Sequence, residues 1–281
     1  MITLRGAEVS AKLKEEVQSQ LKELRETPRL AIVRVGENPA DISYETGAIK
    51  KMQAFGLLAE RFVYPENISD EEFKKEFQKI NDDPSIHGIL LMRPLPRQIH
   101  QAEIEQRIDP LKDLDGISPV NIAKVFCADA SGFAPCTAEA VISVLKANRI
   151  PMEGKKAVVV GRSMVVGRPL SMMLLKENAT VTICHTRTAD LAGTCREAEI
   201  LAVCAGRAKM IDKRFVKEGA VVLDVGINVD ENGHLCGDVD FEDISGTAAC
   251  ATPVPGGIGA VTTAVLASHL VRAAKAQEKR N

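Results

Sequence analysis

The feature that most constrains this chain is a strand, a glycine turn, a helix and a second strand in immediate succession over residues 154–188. The apolar, β-branched run at 157–160 is typical of a buried parallel strand. A turn with glycine at both ends, Gly161 and Gly167, follows it and leads into a helix whose first turn contains Pro169. A second apolar run completes the unit. This succession predicts half of a dinucleotide-binding fold.

The glycine turn suits a pyrophosphate, because glycine lets the backbone approach closely and a helix N-terminus offers free N–H groups. Its spacing is G-x-S-x-x-x-G and not G-x-G-x-x-G, so an ordinary strand-to-helix turn is the alternative. Where a NAD-binding protein would place an acidic residue on the ribose, this chain has His185, Thr186 and Arg187. Arg162 lies within the turn. Hydroxyl and guanidinium groups favour the 2′-phosphate of NADP over NAD, with a solvated surface charge as the alternative for each arginine.

Composition excludes several other classes of protein. With 281 residues, 45% hydrophobic and 26% charged, the chain is long enough for one large or two medium globular domains. A net charge of −2 gives no reason to expect nucleic-acid binding, and no apolar run is long enough to span a membrane. The N-terminus lacks the pattern of a signal peptide, and the seven cysteines contain no C-x-x-C pair. We therefore expect a cytoplasmic protein with reduced thiols and no metal site.

Helix and strand patterns alternate along the chain, which predicts an α/β fold with parallel sheets and right-handed crossovers. A capping-box pattern opens one helix at Ser69, Gly56 ends another, and Thr137 is the predicted N-cap of a third. Predicted helices cover residues 7–25, 40–55, 69–81, 138–147 and 260–274, and predicted strands cover 30–35, 60–64, 86–92, 157–160, 179–184, 199–204 and 220–225.

Nine motifs, in this order and spacing, resemble the methylenetetrahydrofolate dehydrogenase/cyclohydrolase family, called FolD in bacteria. They are VGENPADISYETGAIKKMQAFG (35–56), GILLMRPLP (88–96), IDPLKDLDG (108–116), FAPCTAEA (133–140), GRSMVVGRPL (161–170), CHTRT (184–188), DVGIN (224–228), GDVDF (237–241) and TPVPGGIGAVT (252–262). The resemblance implies a homodimer of two-domain α/β subunits with the active-site cleft between the domains. The folate-binding domain would cover 1–138, completed by a C-terminal helix over 260–281, and the Rossmann-type NADP domain would cover 139–259.

The family's catalytic residues match Tyr44 and Asp115 of this chain. Tyr44 matches the tyrosine that lies against the folate, and Asp115 matches the carboxylate that hydrogen-bonds the paired donor edge of the pterin ring. Without the resemblance, Asp115 would be interpreted as a loop aspartate making a turn before Gly116. Residues matched to the substrate loop are Pro255, Gly256 and Gly257, and those matched to the cofactor are Gly161, Arg162, Ser163, Val166, Gly167, His185, Thr186, Arg187, Ile227, Gly259 and Thr262.

Two departures from the family pattern bear on the chemistry. The family has a lysine four residues after the tyrosine, and here that position is Ala48; its glutamine partner is Met92. That polar pair suits the cyclohydrolase step, in which water attacks the methenyl cation and protons must move. Hydride transfer from 5,10-methylenetetrahydrofolate to NADP mainly requires two rings to be positioned face to face. The sequence therefore predicts an NADP-dependent dehydrogenase of one-carbon metabolism with weak or absent cyclohydrolase activity.

Three alternatives remain open. A fully bifunctional enzyme would recover proton transfer through Lys51, through Arg93, which replaces a leucine of the family, or through water. A non-catalytic relative that binds NADP or folate is disfavoured by the intact tyrosine, carboxylate and cofactor loops. An unrelated NADP dehydrogenase of small acids has no reason to carry the segments 109–116 and 252–259.

Overall fold

The computed structural model describes residues 1–231 and 233–280. The helices are α1 (Gly6–Leu21), α2 (Pro39–Phe55), α3 (Asp70–Asp82), α4 (Gln101–Arg107), α5 (Pro119–Phe126), α6 (Cys136–Ala147), α7 (Gly167–Lys176), α8 (Leu191–Cys195) and α9 (Gly259–Glu278). The strands are β1 (Ile2–Thr3), β2 (Arg29–Val35), β3 (Leu58–Tyr64), β4 (Gly88–Leu91), β5 (Lys156–Val160), β6 (Thr180–Cys184), β7 (Ile200–Val203), β8 (Val221–Asp224), β9 (Asn228–Val229), β10 (Leu235–Cys236) and β11 (Cys250–Ala251).

The chain divides into two compact α/β units. Unit 1 comprises Met1–Lys12 and Pro135–Thr262, and unit 2 comprises Leu13–Ala134 and the chain from Thr263 onward. Each unit has its own parallel sheet and its own buried apolar core. The predicted fold class of two α/β domains with parallel sheets is therefore confirmed.

Unit 1 is built on a six-stranded parallel sheet in the order β1-β11-β8-β7-β5-β6. Its central strands are short, apolar and buried on both faces, as parallel strands covered by helices must be. The sequence predicted β5 to β8 but not β1, in which Ile2 and Thr3 pair with Cys250 and Ala251. A two-residue strand carries too little pattern to be detected without its distant partner.

The turn after β5 requires both of its glycines. Gly161 has a φ of 138°, and a Cβ there would collide with the backbone carbonyl of Cys204. A Cβ on Gly167 would collide with the carbonyl of Gly161. Helix α7 begins at Gly167, and Pro169 falls within its first turn, as predicted.

Unit 2 contains a three-stranded parallel sheet in the order β3-β2-β4. One face of this sheet carries Val33 and Leu91, which pack with Phe73, Phe77 and Ile104 in a single buried cluster. Side chains alternate between the faces of a strand, so the residues between them point to the opposite face. Ile32 and Leu90, which are register partners, lie on that opposite face.

Local sequence signals correctly predicted both ends of α2 and the start of α3, but they predicted the wrong N-cap for α6. Asn38 accepts a hydrogen bond from the Ala40 N–H at the start of α2, and Gly56 ends it with a φ of 84°. The hydroxyl of Ser69 accepts from the Glu72 N–H at the start of α3. The prediction of Thr137 as an N-cap is wrong, because Pro135 is the N-cap of α6 and the helix has already begun at Cys136.

The described part of the chain contains no helix long and apolar enough to cross a bilayer. Within residues 1–231 and 233–280, no group of three or more histidine, cysteine or acidic side chains is arranged to hold a metal ion. All seven cysteines are free thiols, and burial raises the pKa of several of them. The pKa of Cys195 and that of Cys204 are raised to about 12.

Candidate active site

Tyr44 and Ala48, the position of the family lysine, lie one turn apart on α2 and differ sharply in exposure. Tyr44 is 38% exposed, whereas Ala48, one turn later, is fully buried. Ala48 belongs to the buried stripe of the helix together with Glu45, Met52 and Phe55, which recur at three- and four-residue spacing. Residue 48 therefore points into the interior of unit 2.

Met92 continues β4 and lies on the same sheet face as Arg34. Its N–H donates to the Val33 carbonyl, which extends the parallel ladder one residue beyond β4. Ile32 and Leu90 are register partners, so Arg34 and Met92, two residues further along their strands, point to the same face. Met92 is only 7% exposed. The Arg34 side chain therefore lies on the same buried sheet face as position 92, where the family has a glutamine.

Arg34 is held by a carboxylate from α2. Its Nε donates to Oε2 of Glu45 at 3.0 Å, and its Nη1 also donates to the Gly36 carbonyl. Arg61 of β3 binds the other carboxylate oxygen of Glu45 at 2.7 Å. No local motif predicts this cluster, but a charged residue inside the apolar strand AIVRV indicates that a buried partner exists.

Lys51 lies on another part of the α2 surface. Its ammonium is 5.7 Å from the centroid of the Phe55 ring. Burial lowers the pKa of Lys51, and the neighbouring charge of Lys14 lowers it further. The Lys51 ammonium thus lies beside the Phe55 ring at the C-terminal end of α2.

The loop before α5 presents Asp115 by anchoring the residues around it. The buried Asp113 carboxylate accepts hydrogen bonds from the N–H groups of Ile117 and Ser118 at 2.9 and 2.8 Å. Lys112 donates to the carbonyls at the end of α3, and burial lowers the pKa of Lys112. Asp113 and Lys112 are thus structural anchors, whereas the Asp115 side chain remains 25% exposed beside Arg93.

Arg93 lies between two carboxylates of unit 2. Its Nη1 is 3.2 Å from Oε1 of Glu105, and its Nη2 is 3.6 Å from Oδ2 of Asp115. The sequence singled out Arg93 as a departure from the family, and the structure brings it to the predicted substrate carboxylate. Glu105 was not predicted, because nothing local marks a helical glutamate as the partner of a distant arginine.

The predicted cofactor residues of unit 1 follow two adjacent strands. Val160 and Cys184, the last residues of β5 and β6, are register partners, so Arg162 and Arg187 both lie beyond the same edge of the sheet. Arg162, Ser163, Thr186 and Arg187 are exposed. The Ser163 hydroxyl accepts from the Val166 N–H, and His185 Nδ1 accepts from the Arg187 N–H. This arrangement can hold a phosphorylated nucleotide at the edge of the sheet.

The glycine-rich segment before α9 lines a cavity of about 310 Å³ within unit 1. Ile227 is 68% exposed at this cavity. Thr262 lies one turn inside α9, and its hydroxyl donates to the Ile258 carbonyl. The predicted residues that line the cavity are Ile227, Pro255, Gly256, Gly257 and Gly259.

Two buried aspartates fix the segment that carries Ile227. Asp224 accepts from the N–H groups of Gly226, Asp238 and Val239, and burial raises the pKa of Asp224 to about 6. Asp238 accepts from three successive N–H groups at residues 205–207. Both aspartates belong to motifs of the sequence, DVGIN and GDVDF, but the sequence did not predict that the two carboxylates together fix this segment.

A six-stranded parallel sheet with phosphate-binding features beyond the carboxyl ends of its strands defines a Rossmann-type NAD(P)-binding unit. Together with the second α/β unit, which carries Tyr44 and Asp115, this unit defines the class of two-domain oxidoreductases. Residues 4–115 match the family model described as tetrahydrofolate dehydrogenase/cyclohydrolase, catalytic domain, and residues 135–278 match its NAD(P)-binding domain. The chain belongs to the tetrahydrofolate dehydrogenase/cyclohydrolase family.

Individual relatives agree with this family. The Bifunctional protein FolD of Alkaliphilus oremlandii is 48% identical over 98% of this chain and 97% of its own length. The FolD crystal structure from Campylobacter jejuni is 40% identical, covers 98% of this chain and 99% of its own, and has a TM-score of 0.95. The Trypanosoma brucei FolD structure, complexed with NADP and an inhibitor, is 29% identical over 99% of each chain, with a TM-score of 0.93.

Proposed function

We propose that this protein oxidises 5,10-methylenetetrahydrofolate to 5,10-methenyltetrahydrofolate with NADP as the hydride acceptor, and that its cyclohydrolase activity is weak or absent. The observation that supports the loss of cyclohydrolase activity is the buried Ala48 on α2, at a position where the family pattern has a lysine. Met92 replaces the glutamine partner and is itself buried. Neither side chain can give or accept the protons that hydrolysis of the methenyl group requires.

The hydride step makes smaller demands on the protein. The methylene carbon loses a hydride, and the lone pair of the adjacent folate nitrogen forms the C=N bond of the methenyl cation. Arg162, Thr186 and Arg187 would hold NADP, which would supply the hydride acceptor when bound. We assign Tyr44 to contact with the folate and Asp115 to the donor edge of the pterin ring, so that both residues position the substrate and neither transfers a proton.

We further propose that the cofactor is NADP and not NAD. The exposed Thr186 and Arg187 lie where an acidic side chain would bind a ribose 2′-hydroxyl, and Arg162 is exposed in the glycine turn after β5. Guanidinium groups form strong charge-assisted hydrogen bonds with phosphate. The Trypanosoma brucei relative, whose structure contains NADP, supports the same choice.

We infer that Lys51, Arg34 and Arg93 do not supply the missing general base. The Lys51 ammonium lies 5.7 Å from the centroid of the Phe55 ring. Arg34 and Arg93 each bind a carboxylate, and a guanidinium keeps its proton under physiological conditions. A second candidate function is the complete bifunctional enzyme. It is favoured by the relatives that are named Bifunctional protein FolD, one of which is 48% identical to this chain.

The assay that separates the two candidates follows methenyl-folate and NADPH absorbance together in one reaction with purified protein. We expect methenyl-folate to accumulate in step with NADPH. A bifunctional enzyme would keep methenyl-folate low while NADPH rises. Methenyl-folate added directly, with and without protein, gives the uncatalysed rate of hydrolysis as the control.

We also propose, from the family resemblance, a homodimer that acts on tetrahydrofolate one-carbon derivatives. Residues 1–138 with the C-terminal helix would form its folate-binding domain, and residues 139–259 its cofactor domain. Met1–Lys12 depart from this division, because they belong to unit 1. Sedimentation equilibrium of the purified protein should give twice the chain mass of 30.4 kDa. A mass of one chain at micromolar concentration would contradict the dimer.

A further inference from the structure

A continuous chain of polar contacts leads from the end of β4 through α4 to Asp115. The Leu95 N–H donates to Oε1 of Gln101 at 3.1 Å, and Nε2 of Gln101 donates to Oε1 of Glu105 at 2.8 Å. Glu105 then binds Arg93 at 3.2 Å, and Arg93 reaches Asp115 at 3.6 Å. Each member therefore fixes the next, beginning at the main chain and ending at the predicted substrate carboxylate.

The guanidinium of Arg93 is well placed to set the direction of the Asp115 side chain. The Arg93, Glu105 and Asp115 side chains are only 20, 23 and 25% exposed, so solvent screens their charges less than at an open surface. Without Arg93, the guanidinium that contacts both Glu105 and Asp115 would no longer offset the repulsion between these two carboxylates. Their repulsion would then turn the Asp115 carboxylate away from Glu105.

One contact with Arg93 does not exhaust the acceptor capacity of Asp115. The nearest approach of the guanidinium is from Nη2 to Oδ2, at 3.6 Å. A carboxylate has about four lone-pair sites, so further donors can bind it while Arg93 is in place. A pterin donor edge would then meet an already oriented acceptor.

We propose that Arg93 is a positioning residue that orients Asp115 for the folate, with Gln101 and Glu105 holding the guanidinium in place. The proposal rests on the substrate-binding role proposed for Asp115. It gives Arg93 a role in substrate affinity that acts through Asp115 and not as a proton donor for hydrolysis.

The test is a double-mutant cycle on dehydrogenase kinetics. Arg93→Leu should raise the KM for methylenetetrahydrofolate about 5- to 50-fold, the range typical of coupled neighbours, and leave the KM for NADP unchanged. Arg93→Lys should recover part of the loss, because an ammonium can contact one carboxylate but lacks the planar fork. Glu105→Gln should give an intermediate KM, since Arg93 keeps a neutral partner.

In the Asp115→Ala background, Arg93→Leu should have no further effect on the folate KM. An equal effect in both backgrounds would overturn the proposal by showing that Arg93 binds substrate directly. An unchanged KM in Arg93→Leu, with a raised KM in Asp115→Ala, would overturn it while leaving the proposed function intact. If Asp115→Ala itself leaves the folate kinetics unchanged, the assignment of Asp115 fails first, and the role of Arg93 fails with it.

The matched control is Arg29→Leu. Arg29 forms an exposed ion pair with Glu60 at 3.0 Å in the same unit. Its loss removes an arginine and an ion pair but should leave both KM values unchanged. The unchanged NADP KM of the Arg93 variants, together with their circular dichroism spectra, separates loss of orientation from loss of folding.

Discussion

Arg34 of β2 and Glu45 of α2 form an ion pair inside unit 2, with Nε and Oε2 3.0 Å apart and side chains 9% and 3% exposed. The pair lies on the sheet face that also carries Met92, and Glu45 shares the buried stripe of α2 with Ala48. A buried pair of opposite charges thus adjoins the positions where the family has a lysine and a glutamine.

Breaking this pair should destabilise the protein strongly. Arg34→Leu leaves the buried Glu45 with only the half-exposed Arg61 as a partner, and removing one member of a buried pair typically costs about 3–5 kcal/mol. Urea unfolding would measure the loss. Arg29→Leu removes an exposed pair and should cost no more than about 1 kcal/mol. Equal losses in the two variants would contradict the energetic role given to Arg34.

Removing the phosphate-facing arginine should weaken NADP selectively. Arg162→Ala should cost about 1–3 kcal/mol of NADP affinity, the usual value of a charge-assisted contact, and leave NAD affinity unchanged. Kd values from fluorescence titration with each nucleotide would measure both effects. Arg196→Ala, an exposed arginine elsewhere in unit 1, is the control. Equal kcat/KM with NAD and NADP in the unmutated protein would contradict the cofactor assignment.

Removing the substrate carboxylate should affect folate and spare the cofactor. Asp115→Ala should raise the KM for methylenetetrahydrofolate and lower kcat, because the pterin ring loses both affinity and orientation. Steady-state kinetics with each substrate varied in turn would show it. Asp82→Ala, which removes an exposed carboxylate at the end of α3, should change neither parameter. Loss of NADP affinity with normal folate kinetics would refute the assignment.

The proposed loss of cyclohydrolase predicts a specific pattern of rescue. A missing general acid or base typically lowers a rate by about 10²–10⁴-fold. Ala48→Lys alone should restore little hydrolysis, because a desolvated ammonium needs a polar partner and Met92 offers none. Ala48→Lys with Met92→Gln should restore more than the sum of the single changes, as expected for residues in contact. Direct hydrolysis of added methenyl-folate is the measurement.

That prediction has a direct counter-result. Enzyme-dependent hydrolysis of methenyl-folate by the unmutated protein, at a rate comparable to hydride transfer, would show that the protein is fully bifunctional. Lys51→Met would then test whether Lys51 carries the proton. Lys50→Met, on the neighbouring residue, is its control.

Asp224 should give the stability of the protein an unusual pH dependence. Burial raises its pKa from the ordinary 3.8 to about 6, so the folded protein holds a proton that the unfolded chain releases. The favourable contribution of Asp224 is present below pH 3.8 and is lost as the pH rises to about 6. The difference amounts to about 2–3 kcal/mol.

The control for this pH dependence is Asp224→Asn, which has no proton to release. Between pH 4 and 6, the free energy of unfolding of the unmutated protein should fall relative to that of the variant. Carbon-13 NMR of the Asp224 carboxyl group should show a midpoint near 6. A midpoint near 3.8 would mean that the three N–H donors to the carboxylate offset the effect of its burial on the pKa.

The sequence predicted those parts of the fold that depend on neighbouring residues. The β5 strand, the turn between Gly161 and Gly167, and the caps at Ser69 and Gly56 are all local, because each is decided by periodicity or backbone freedom within a few residues. Thr137 shows the limit of such signals. A side chain with N-cap chemistry does not cap a helix that has started one residue earlier.

The sequence by itself determined the family, the parallel α/β class and the two absent polar side chains at positions 48 and 92. It also supplied Arg93 as an unexplained charge. Only the tertiary structure decided what these departures adjoin: Arg34 meets Glu45 from a different element, and Arg93 meets Glu105 and Asp115. The physical reason is that sheet register and helix packing bring distant segments together and so decide which group binds a buried charge. The residues next to that charge in the sequence do not show which group this is.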